Sequence, residues 1–152
     1  MTKAKSLSVK LKEETKSLKA QINALVAEKE AELIKSASLT DKVMYFIEEM
    51  SRSTIEEALF KGNTYYCRQD TLFQKFKARL NEHAIGFELA EEVGGDTEED
   101  GSTYFKVYNF SDGVNECWIK FDGWYSSYDG SELRSYFPVK PEVKQVTVFE
   151  KV

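Results

Sequence analysis

From Leu7 to about Ile34 the apolar positions recur with a helical period. Leu7, Leu11, Leu18, Ile22, Leu25, Val26 and Leu33 fall within about a third of a helix circumference at ~100° per residue, and Lys, Glu and Gln fill the remainder. A strict heptad fits less well: with Leu11, Leu18 and Leu25 at a, the d positions hold Glu14, Gln21 and Glu28. The stripe is thin, and the helix that carries it should run about 40 Å. Such a stripe must lie against something. It packs either on its own domain or on the same helix of a second chain. The second reading makes residues 1–36 an oligomerisation arm, with Leu11, Leu18, Ile22 and Leu25 at its seam, and the protein a homo-oligomer.

Residues 37–152 read as a single α+β domain, helices over 40–83 and an antiparallel sheet over 85–151. "SASLTDKVMYFIEEM" starts a helix, with Ser38 or Thr40 as N-cap and Val43, Phe46, Ile47 and Met50 on its apolar face. "SRSTIEEALFKGN" offers a capping box, Ser53 with Glu56, and a stop at Gly62-Asn63. Asp70 caps a last helix whose inward residues should be Leu72, Phe73, Phe76 and Leu80. After Ala84 the period changes from 3.6 to 2. "IGFELAEEV", "TYFKVYNF", "ECWIKFDGWY" and "KQVTVFEKV" alternate as strands, separated by the polar loop "GGDTEEDGS" and the turn "SDGVN". Asp129-Gly130 signals a hairpin, Gly123 a bulge, and Pro138 and Pro141 an edge or crossing segment. Helices followed by four or five antiparallel strands, without βαβ alternation, give segregated α+β.

The stretch Phe121–Pro141 concentrates six aromatic residues and both prolines. One reading is structural: Trp118, Trp124, Tyr125, Tyr128, Tyr136 and Phe137 cover the second face of the sheet and pair with Tyr104, Tyr108 and Phe110. The other leaves Trp118, Trp124, Tyr125, Tyr128 and Tyr136 at the centre of a protein interface, where Trp and Tyr carry much of the energy.

Charge narrows the partner. Residues 1–83 carry 15 Lys/Arg against 12 Asp/Glu; residues 84–152 carry 6 against 14. The aromatic half is the acidic half, the wrong sign for a nucleic-acid platform. Six lysines among the first twenty residues leave a weaker nucleic-acid reading, and solvated helix charge explains them as well.

Catalytic signatures do not emerge. His83 is the only histidine and sits in a helix's last turn, where capping or packing is expected. Cys67 and Cys117 make neither a disulfide framework nor a zinc site and are expected reduced. P-loop, GxGxxG and HExxH sequences do not occur, and "GGDTEED" lacks calcium-loop spacing. Glu91-Glu92 and Glu98-Glu99-Asp100 fall where nothing would raise a carboxylate toward neutrality. The expectation is a non-enzyme without a cofactor. With no apolar run near ~20 residues and no signal-peptide core, a cytoplasmic protein without membrane contact is expected.

"DGWYSSYDGSEL" followed by "FPVKPEVKQVTVFEKV" resembles the C-terminal part of small uncharacterised proteins of tailed bacteriophages, over about the last 35 residues. The resemblance carries no activity. It implies a role inside an infected bacterium, as an accessory or host-takeover factor that binds and modulates a host protein, with an inhibitor among the possible roles. An acidic face that mimics nucleic acid is one such mode. The alternative from another class is a small-molecule or nucleotide module, its pocket lined by Trp118, Tyr125 and Tyr128 beside the Asp70–His83 helix, with Arg68, Arg79 and Arg134 as anion partners.

Overall fold

A computed structural model describes residues 6–94, 102–126 and 130–152. The chain divides into two compact units, Met1–Ser38 and Leu39–Val152. In the first, Ser6 caps helix α1, Leu7–Ser36, by accepting from the Val9 amide. Its 30 residues make a rod about 45 Å long. Leu11, Leu18, Ile22, Leu25, Val26 and Leu33 are each between 57% and 65% exposed.

The second unit is α+β: helices first, then a four-stranded antiparallel sheet in the order β1-β2-β3-β4. Helix α2, Leu39–Glu48, buries Val43, Phe46 and Ile47, and Met50 beyond it is buried too, as its spacing predicts. Helix α3, Arg52–Ile55, is capped by Ser51 rather than Ser53. It runs straight into a π-helical turn, Glu56–Phe60. Glu56 is therefore not a capping-box partner. Its carboxylate accepts from the Leu133 amide at 2.9 Å, and Arg52 donates to the Leu133 carbonyl at 2.6 Å. Gly62 ends the turn with φ +64°, and Asn63 caps an unforeseen helix α4, Thr64–Gln69. Asp70 caps α5, Thr71–Glu82. Phe73, Phe76 and Leu80 point inward, but Leu72 is exposed because it falls outside that three-residue face.

The strands are β1, Gly86–Val93, β2, Ser102–Ser111, β3, Glu116–Ser126, and β4, Gly130–Val139. Asp112 shapes the β2–β3 turn by accepting from the Val114 and Asn115 amides, which hold its carboxyl below the usual range. That turn sets Phe110 opposite Cys117 and Tyr108 opposite Ile119. The helices cover this face: Tyr108 donates to the Leu59 carbonyl, Phe60 meets Tyr104 edge-on, and Phe76 contacts Phe87. Phe46, Phe60, Phe76, Phe110, Ile119 and Phe121 form the centre of the core, each at most 2% exposed.

Two expectations are corrected here. Tyr104, Tyr108 and Phe110 do not join the tryptophans: register places them with Cys117, Ile119 and Gly123 under the helices. Nor do the described residues hold a fifth strand: 140–152 has no regular structure, and Val146, Val148 and Phe149 are exposed. A strand folding back on β4 would start at Pro141 and pair across Pro138, and neither has the N–H a ladder needs. The loop "GGDTEEDGS", including Glu98-Glu99-Asp100, and the Asp129 half of the hairpin signal lie essentially outside the described residues; β3 ends at Ser126 and β4 starts at Gly130 with φ +74°.

The open aromatic face as candidate binding site

Alternation along β3 aims Cys117, Ile119, Phe121 and Gly123 at the helices and Trp118, Lys120, Asp122 and Trp124 at the opposite face. Across the ladder, Asn109 and Val107 of β2 stand beside Trp118 and Lys120, and Val139 and Phe137 of β4 flank them on the other side. The result is a surface on which Phe105, Trp118, Trp124 and Val139 are half-buried, Phe137 is exposed and Val107 is buried between them.

Two of its cations sit over rings. Lys120 Nζ stands 4.1 Å from the centre of Phe105, and the Arg134 guanidinium 5.1 Å from that of Trp124. Glu91, Asp122 and Glu132 share this face by register, so its rim leans acidic. An open groove of about 400 Å³ runs between Glu91 and Pro141, floored by Phe105, Val107, Trp118 and Lys120.

A bulge fixes Trp124. Asp122 pairs with Ser135 but Gly123 with Leu133, so Arg134 is the extra residue and swings over the Trp124 ring. Gly123 is required there, because a Cβ would come within 2.1 Å of the Glu132 carbonyl oxygen and 2.5 Å of Phe60. Arg52 and Glu56 hold both backbone groups of Leu133, which pins the bulge from the helical side.

The five aromatics singled out in the sequence do not form one patch. Trp118 and Trp124 share the open face. Tyr136 stacks on Phe121 at 5.7 Å and, like Tyr125, belongs by alternation to the helix side; Tyr128 lies outside the described residues. The arginines are equally scattered. Arg79 pairs with Glu49 at 2.7 Å and lies over Phe46, Arg134 serves Trp124, and Arg68 is exposed on α4. Helix α5 and Trp118 are on opposite sides of the sheet, so they do not enclose a common pocket.

Sequence reasoning passed over a polar cluster on the helix side. Tyr104 donates to Glu92 Oε1 at 2.6 Å, and Nζ of Lys106, a residue only 6% exposed, stands 3.9 Å from the same oxygen. Burial, then the Glu92 bond, pushes the Tyr104 phenol up, so it acts as a donor. The alternation contains the clue, since Lys106 falls between Tyr104 and Tyr108. Burial also raises the thiols of Cys67 and Cys117, which favours the protonated forms. His83 occupies the α5 C-cap with its ring 5.2 Å from Phe46. Among the described residues, no group of three or more His, Cys, Asp or Glu is placed to hold a metal ion, and no helix is long and apolar enough to cross a membrane.

No protein-family model matches this chain, and no curated protein or solved structure matches it either.

Proposed function

We propose that this chain is a non-catalytic binding protein that docks a bacterial host protein on the open face of its sheet, as an accessory factor of a tailed bacteriophage acting in the host cytoplasm. The supporting observation is the clustering of Trp118, Trp124, Phe105, Phe137 and Val139 on a face that the helices of the same unit leave open. Half-buried tryptophans set on a rigid ladder lose little freedom on binding, which suits them to anchor a partner. The acidic rim selects a partner whose apolar contact is edged by Lys or Arg. The groove beside Trp118 also supports a second reading, a small planar ligand stacked on the indole, since about 400 Å³ is within the range of ligand sites.

A photo-crosslinking residue at Trp118 in the full chain, compared with one at Tyr136, tests the proposal in host lysate. Trp118 should give one defined protein adduct and Tyr136 none. With that protein purified, the pair Trp118→Ala and Trp124→Ala should weaken binding at least about tenfold while thermal unfolding stays cooperative. Equal labelling from both positions, or unchanged affinity, overturns the docking face. Quenching of tryptophan fluorescence by a nucleotide panel, without a protein adduct, would move the assignment to the small ligand.

A further inference from the structure

We propose that α1 pairs with α1 of a second copy of this chain, antiparallel and in a register centred on Ile22. This rests on the reading of the helix as an assembly arm and adds its partner, direction and register. Helix α1 presents Leu11, Leu18, Ile22, Val26 and Leu33 along its length, all more than half exposed. Their spacing is 7, 4, 4 and 7, which reads the same from either end. Reversal about Ile22 therefore maps these five positions onto themselves, Leu11 on Leu33, Leu18 on Val26 and Ile22 on Ile22, and sets Leu25 beside Lys19 at the edge of the seam. A two-fold antiparallel pair needs that self-complementarity, because each copy offers the same patch to the other. A parallel pair does not need it.

Charge points the same way. The N-terminal half of α1 holds Lys10, Lys12, Lys16 and Lys19 against Glu13 and Glu14; the C-terminal half holds Glu28, Glu30 and Glu32 against Lys29 and Lys35. Antiparallel pairing lays the basic half on the acidic half, whereas parallel pairing stacks like on like. Lys12 and Glu30 are separated by five helical turns and so share one flank of the stripe, where reversal brings them close across the seam. Opposed macrodipoles add to this. The 22 residues from Leu11 to Leu33 span six turns, about 3.67 residues per turn, so the two helices should cross nearly straight rather than with heptad supercoil.

Sedimentation of the full chain should give a dimer, and Ile22→Asp, which puts two carboxylates at the centre of the seam, should raise its dissociation constant by about 100-fold or more. Oxidative crosslinking then reads direction. Leu11→Cys mixed with Leu33→Cys should crosslink, while Leu33→Cys alone should not, since its two copies would lie about 33 Å apart; the unsubstituted chain controls for Cys67 and Cys117. Crosslinking of Leu33→Cys with itself means a parallel pair and overturns the proposal, leaving the assembly arm standing. A dimer indifferent to Ile22→Asp overturns the helix as seam. A monomer at 100 μM, a deliberately high concentration for a specific dimer, overturns the arm as well. Unchanged tryptophan fluorescence in every variant confirms that the Leu39–Val152 unit is still folded.

Discussion

Ala84 sits at φ +54°, the one non-glycine residue with left-handed backbone among those described. It follows His83, the cap of α5, and the two bonds that close the helix are the Ala84 amide to the Asn81 carbonyl and the Ile85 amide to the Leu80 carbonyl. This Schellman pattern places its C′ residue in the left-handed region, where a Cβ costs about 1 kcal/mol and glycine does not pay it. Ile85 is buried immediately beyond, so the geometry is held by packing rather than by the residue's own preference. Ala84→Gly should therefore stabilise the fold by about 0.5–1 kcal/mol, part of the gain being offset by glycine's extra freedom in the unfolded chain. The urea midpoint should rise at unchanged slope; a lower midpoint would show that the Cβ is packing rather than straining. The sequence offered no hint of this, because alanine after a histidine carries no stop signal of the kind Gly62 gave.

Among the elements, β2 is tied to the helical layer by Tyr108, whose hydroxyl donates to the Leu59 carbonyl inside the π-helical turn. Burial pushes that phenol up to about 12, whereas an unfolded tyrosine loses its proton near about 10. Between those values the unfolded chain binds fewer protons than the folded one, so stability is fully present below about pH 10 and falls as pH rises toward about 12. Urea midpoints from pH 7 to 11.5 should stay flat and then drop. Tyr108→Phe should shallow the drop and cost about 1–3 kcal/mol at neutral pH, where the Leu59 carbonyl loses its partner. Tyr104, pushed in the same direction, keeps some slope in the variant.

The elements themselves were largely legible, because a change from period 3.6 to period 2 near Ala84 is a property of the chain alone. Their faces were not. Alternation says that Trp118 opposes Ile119, but only the turn at Asp112 decides that Tyr108 rather than Val107 stands with Ile119. The same limit hid the separation of Tyr136 from Trp118 and the burial of Lys106. The strand expected over "KQVTVFEKV" shows that alternation needs an available edge to become a ladder. The edges here carry Pro138, the bulge at Arg134 and a second register shift between Leu89 and Glu91, devices that discourage further pairing.

For the whole molecule, the division into two units separates two sources of stability. The Leu39–Val152 unit has its own core of Phe46, Phe60, Phe76, Phe110 and Phe121 and contains both tryptophans. Helix α1 buries Ile34 alone, and most of a helix's stability in a protein comes from packing its apolar face rather than from propensity. If α1 pairs with a second copy as proposed, its helicity follows mass action. Dilution from about 100 μM to below the dissociation constant should remove the part of the far-ultraviolet helix signal that belongs to α1, while tryptophan fluorescence and its melting temperature stay constant. Heating at high concentration should give two transitions, the helical one shifting with concentration and the fluorescent one fixed. If both signals instead melt together at every concentration, α1 draws its stability from its own chain, and the exposed stripe would not mark a meeting place for two copies.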